Sequence, residues 1–261
     1  MAASHTRHAH EEELNLPHGS STPIVAAAAI GLLYIGVMLA PKGYLWLLAP
    51  GVLLGLYAVY VVSREDATWW EHRVGTGHPN TWYGILFLLG TEVMLFGALF
   101  ANYFNGLAIQ GAAWHPPAGV HMPVEIVGIN TIILLASGAT MHVGHGAIRR
   151  GDRNGMVKWC LATIVLGSIF IAVQVKEYLD LFAEGMTVDS GPFASAFYAL
   201  TGTHGAHVIG GLALIAIVTW RAMQGNFDER RHAAVEVTAV YWHFVDVVWV
   251  VLYAVVYLRL I

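Results

Sequence analysis

The sequence predicts an all-α polytopic membrane protein with seven transmembrane helices. Of its 261 residues 57% are hydrophobic and 11% charged, and mean hydropathy is +0.59; a soluble domain carries about a quarter charged residues. No charge falls between Lys42 and Arg64, between Glu125 and Arg149, or between Asp189 and Arg221. Each gap holds the roughly 20 apolar residues that cross a bilayer core. Polar or Gly/Pro punctuation divides the chain into seven such runs.

Residues 1–22 read as a polar, solvated tail (HTRHAHEEELNLPHGSS), with no apolar core region and cleavage site of a signal peptide. Residues 23–62 hold the first two spans. Span one is Pro23–Ala40, with its proline suited to a first helical turn. Span two is Gly43–Val62, where Pro50 predicts a kink. A polar loop is expected over 63–80, carrying Arg64, Glu65, Asp66, Trp69 and Trp70. Residues 81–261 contain the other five spans: Thr81–Ile109, Val124–Ile148, Met156–Leu181, Pro192–Met223 and Ala233–Leu260. The polar turn RRGDRNG closes the fourth. No internal repeat is visible, so the inverted-repeat signature of many transporters is missing.

An odd span count puts the termini on opposite sides. Ten basic residues fall on the N-terminal side: Arg7, Arg64, Arg73, Arg149, Arg150, Arg153, Lys158, Arg221, Arg230 and Arg231. Lys42, Lys176 and Arg259 fall on the other. The positive-inside rule therefore predicts a cytoplasmic N-terminus, or a matrix one in a mitochondrion, and an external C-terminus.

Several functions are excluded. Net charge is −4 and the 13 basic residues form no stripe, so nucleic-acid binding has no electrostatic footing. The single cysteine, Cys160, rules out an internal disulfide framework, C-x-x-C-H haem attachment, a four-cysteine iron–sulfur site and a two-cysteine copper centre. No phosphate-binding loop or dinucleotide fingerprint is present.

The chemistry to explain is polar side chains at membrane depth. Glu92 lies about 16 Å into the third span at 1.5 Å per residue, within LLGTEVMLFGALF. Its neighbours at i+4 and i+7 are Phe96 and Leu99, so its own helix offers no partner. An ionised carboxylate there is expensive, which favours the acid form unless another helix supplies a cation. It serves either function or helix packing. In the sixth span His204 and His207 share a face, beside a small-residue stripe of Gly202, Ala206 and Gly210 that admits a close neighbour. Their i,i+3 spacing fits structural hydrogen bonding better than haem or metal ligation. In the seventh span Glu236, His243 and Asp246 form one polar sector, with His243 within about 20° of Glu236 at 100° per residue. Asp246 and His204 fall at similar depth, so an interhelical pair between them is expected as one option, with a buried polar clamp as the other. His142 and His145 sit at the cytoplasmic end of the fourth span, and Trp69 and Trp70 fit a headgroup-level aromatic belt.

Six stretches together resemble subunit III of the haem–copper terminal oxidases, in the cytochrome c oxidase branch. They are GTEVMLFGALFANYF, NTIILLASG, GDR, QVKEY, FYALTGTHGAHVIGG and YWHFVDVVW, in register over spans three to seven. Thr91 stands where that family usually has a serine before the glutamate. The resemblance implies two N-terminal helices splayed from a five-helix bundle, and a chain without a redox centre. Such a subunit binds phospholipid and partners subunit I directly, with subunit II and other subunits in the complex. Haem and copper would reside in those partners, and cytochrome c would be the substrate of the complex. The resemblance also ties Glu92 to sustained proton uptake into subunit I, and Trp69, Trp70 and Arg73 to lipid headgroups.

The resulting expectation is a non-catalytic subunit of a proton-pumping cytochrome c oxidase in a bacterial or archaeal plasma membrane, ahead of the mitochondrial inner membrane. The proton-support or buried polar network comprises Glu92, His204, His207, Glu236, His243 and Asp246. The lipid-contact set is Trp69, Trp70, Arg73 and Arg221, the last because the basic stretches Arg149–Arg153 and Arg221–Arg231 attract anionic headgroups. Two other readings remain at this point. One is a stand-alone proton-coupled carrier using Glu92, Asp246 and the sixth-span histidines. The other is a haem b oxidoreductase built on His142, His145, His204 or His207.

Overall fold

The structure is a computed structural model that describes residues 25, 28, 29, 31, 32, 46, 48–69 and 79–259. It separates into two units, Met1–Thr76 and Gly77–Ile261. In the first, helix α1 covers Leu48–Trp69. In the second, α2 is Pro79–Gln110, α3 Val124–Arg149, α4 Arg153–Ala183, α5 Pro192–Met223 and α6 Ala233–Leu252. Five helices are long and apolar enough to cross a membrane, α2 to α6, and they account for the third to seventh predicted spans. No strand occurs among the described residues. The first predicted span lies mostly outside the described residues.

Two boundaries differ from expectation for physical reasons. Helix α1, described from Leu48, continues through Arg64, Glu65 and Asp66 to Trp69, where a loop was predicted from residue 63. Hydropathy marks where a helix leaves lipid, whereas the backbone ladder continues as long as its own hydrogen bonds close. The last span does not stay α-helical. After Leu252 it passes into a π-helical turn, Tyr253–Tyr257, with the Leu258 N–H donating to the Tyr253 carbonyl at 3.1 Å.

The connections explain themselves locally. Asp152 caps α4 by accepting the Gly155 N–H at 2.8 Å, satisfying one orphan donor of the first turn. Pro192 occupies the first turn of α5, where its missing N–H costs nothing. Gly225 ends α5 with φ +88°, a left-handed conformation that glycine adopts without strain. Its N–H and that of Asn226 close on the carbonyls of Ala222 and Arg221.

The bundle of the second unit packs through small residues, as helices do when lipid competes equally for apolar surface. Trp242 on α6 is fully buried in a slot formed by Gly167 of α4 and Gly211 of α5. A Cβ on those glycines would come within 3.1 Å and 2.7 Å of its ring. Its indole N–H donates to Ser137 Oγ of α3 at 3.1 Å, so one side chain ties four helices. Trp249 repeats the pattern one layer on, donating to Thr131 Oγ1 at 2.9 Å. Helix α2 lies at the rim of this unit, with Phe87 77% and Met94 76% exposed.

Candidate functional site

Glu92 and His207 sit near the middles of α2 and α5. Glu92 Oε2 and His207 Nε2 are 2.8 Å apart, with the two side chains 19% and 16% exposed. Thus the partner absent from the carboxylate's own helix comes from α5. The other ring nitrogen fixes the chemistry. His207 Nδ1 lies 2.8 Å from the Thr203 carbonyl, which can only accept, so Nδ1 carries a hydrogen. Nε2 and Oε2 then share one proton: the pair is either carboxylic acid with neutral imidazole or carboxylate with imidazolium. Both forms are neutral overall, which reduces the cost of placing the two groups at this depth. Phe96 packs on the imidazole at 5.0 Å and on Phe244 at 6.3 Å. Tyr241 of α6 reaches the His207 carbonyl at 3.4 Å. The Thr91 hydroxyl is used by its own helix, donating to the Leu88 carbonyl at 2.7 Å.

The His204–Asp246 pair does not form. Asp246 Oδ2 lies 3.5 Å from His243 Nδ1 on its own helix, directly over Gly138 of α3, where any Cβ would collide with that carboxylate. His204 instead stacks on Trp249 at 4.7 Å and is fully buried. Depth and facing sector made the two residues compatible, but the helix rotations set by the tryptophan slots send them to different neighbours.

The α6 stripe meets the α3 histidines, a relation that neither helix shows alone. His142 and His243 rings are 6.2 Å apart, as are those of His145 and His232. Glu236, one turn from His232, is half-buried. The seam therefore carries titratable groups from the basic end of the bundle to Asp246. Among the described residues, no group of three or more His, Cys, Asp or Glu side chains is gathered to hold a metal ion.

The lipid-contact set divides. Arg221 is only 6% exposed, whereas Arg149, Arg150, Arg230 and Arg231 around it are open. Trp69 closes α1, and its side chain, with Trp70 and Arg73, lies outside the described residues. In the loop after α5, Asp228 accepts from the Arg231 guanidinium at 2.7 Å and from the backbone N–H groups of Arg230 and Arg231. The Arg231 bond holds this exposed carboxyl below its usual range.

Sequence reasoning missed Glu177. It is 5% exposed on α4 and accepts from the Tyr257 hydroxyl at 2.8 Å. A carboxylate inside the apolar run before LDLF was the available signal, masked by the adjacent Lys176 that makes the stretch look like a solvated end. The π turn decides the outcome by swinging Tyr257 onto it.

Comparison with known proteins identifies the family. The family model for cytochrome c oxidase subunit III matches residues 18–259. Cytochrome c oxidase subunit 3 of a Synechocystis species is 42% identical over 184 residues, covering 70% of this chain and 77% of its own length. Its counterpart in Thermostichus vulcanus is 39% identical over 178 residues, with 67% and 85% covered. That of Prototheca wickerhamii is 36% identical over 250 residues, with 91% and 94% covered. With five helices apolar enough to cross a membrane and a family match along nearly its whole length, the chain belongs to the cytochrome c oxidase subunit III family, whose members are parts of a terminal oxidase complex.

Proposed function

We propose that this chain is the non-redox subunit of a proton-pumping cytochrome c oxidase. It binds phospholipid, packs directly on subunit I and keeps proton uptake into that subunit competent while O₂ is reduced to water. Haem and copper belong to the partner subunits, and cytochrome c delivers the electrons. The N-terminus faces the cytoplasm of a bacterial or archaeal cell and the C-terminus the outside. The observation that carries this reading is the Glu92–His207 pair, a proton-sharing unit at mid-helix with some residual exposure. It exchanges its proton between two groups without changing net charge, so it tolerates a low-dielectric setting. Glu236, His243, Asp246 and the α3 histidines line the α3–α6 seam from the basic end and supply a reservoir of titratable groups there. His204 belongs to the buried polar framework. Headgroup contact is assigned to Trp69, Trp70 and Arg73. It extends to the open arginines around Arg221, at about 1 kcal/mol per charge near an anionic surface.

A turnover time course of the oxidase with and without this chain tests the reading. The depleted enzyme should start at a near-normal rate with an unchanged haem spectrum, then lose activity during turnover, faster at high pH where protons are scarce. A depleted enzyme that never starts would give the chain a direct chemical role and overturn the reading.

A further inference from the structure

Four helices meet in one layer where three buried polar side chains are held in place but not satisfied. Asn130 of α3 donates its amide to the Phe170 carbonyl of α4 at 3.1 Å. Gln174, one turn beyond Phe170, donates its amide to the Thr201 carbonyl of α5 at 3.0 Å. Carbonyls only accept, so the amide nitrogens are the donors in these two bonds and the oxygens point elsewhere. Asn130 Oδ1 and Gln174 Oε1 are buried and have no partner. His204, one turn beyond Thr201, is fully buried, and neither of its ring nitrogens has a partner. Its ring lies 4.7 Å from that of Trp249 and 6.0 Å from that of Phe170. The Trp249 indole bonds Thr131, the residue next to Asn130.

None of the three side chains bonds another through these atoms. An uncharged imidazole brings one donor and one acceptor, and each amide oxygen is an acceptor that needs a donor. Water carries two donors and two acceptors, and buried water typically bridges about three otherwise unmet groups. Gly205 lies beside the glutamine, where a Cβ would stand 3.4 Å from Gln174 Oε1. We infer that the bundle interior contains a water-binding site bounded by Asn130, Gln174 and His204 and lidded by Phe170 and Trp249. The water crosslinks α3, α4 and α5 through side chains that proteins otherwise avoid burying unpaired. The site is separate from the Glu92–His207 pair, which faces α2.

Microsecond X-ray radiolysis of the assembled oxidase in ¹⁸O-labelled water tests this. Hydroxyl radicals form on bound water and mark the side chains beside it. Trp249 and Phe170 should take up ¹⁸O despite complete burial, whereas Phe197, equally buried, serves as the dry reference. His204→Phe keeps an aromatic ring against Trp249 and should reduce the Trp249 label to the Phe197 level; Gln174→Met should do the same where the first variant fails to assemble. Wild-type labelling of Trp249 and Phe170 no higher than that of Phe197 would overturn the site, as a direct His204–Gln174 bond would produce. Labelling that persists unchanged in the variants would overturn it equally.

Discussion

His207 holds Glu92 at 2.8 Å with one ring nitrogen while the Thr203 carbonyl holds the other at 2.8 Å. That second bond allows the imidazole to rest neutral only with its Nε2 lone pair turned toward the carboxyl. Removal of the imidazole frees the Glu92 carboxyl of that partner. His207→Phe should increase labelling of Glu92 by a hydrophobic carbodiimide, which requires the acid form. It should also destabilise the assembled chain by about 1 kcal/mol, the net worth of a hydrogen bond. Glu92→Gln still donates to Nε2 and should assemble normally. Peptide mapping of the label and thermal denaturation of the complex check both outcomes.

The Trp242 slot predicts unequal effects from identical changes. Gly211→Ala places a methyl 2.7 Å from the indole and should cost about 1–3 kcal/mol through overpacking. Gly90→Ala on α2 meets nothing within 4 Å and should be neutral or stabilising by about 0.5–1 kcal/mol through helix propensity. Midpoints of thermal unfolding for the two variants in the same detergent provide the comparison.

The π turn predicts an asymmetry between the members of the second buried pair. Tyr257→Phe removes the donor and leaves Glu177 Oε1 unmet, at about 1–3 kcal/mol. Glu177→Gln keeps an acceptor for the Tyr257 hydroxyl and should cost well under half of that. Denaturation of the two variants measured side by side decides it.

Acid should loosen the loop between α5 and α6. The Asp228 carboxyl is depressed first by its bond to Arg231 and then by backbone donors. A lowered folded value means that the stabilisation is fully present above the ordinary aspartate range of about pH 4. It is lost as pH falls through the lower, folded-state value. Hydrogen–deuterium exchange at Arg230 and Arg231, corrected for intrinsic rates, should rise on acidification below that range. In Asp228→Asn it should be raised already at neutral pH and respond little to acid. Flat exchange in the parent protein across the same range would refute the linkage.

The sequence by itself determined the five spans of the second unit, the depth of Glu92, and the polar face carrying Glu236, His243 and Asp246. Those depend on hydropathy and on the 3.6-residue period, both local properties of the chain. It did not determine which helix faces which. The carboxylate's partner, the His243 and Gly138 neighbours of Asp246, and the Trp249 contact of His204 follow from helix rotations. The glycines that admit Trp242 set those rotations, and periodicity alone cannot supply that information. The π turn that carries Tyr257 to Glu177 belongs to the same class. A one-residue bulge leaves hydropathy unchanged, and the pairing of two buried groups far apart in the chain decides its outcome.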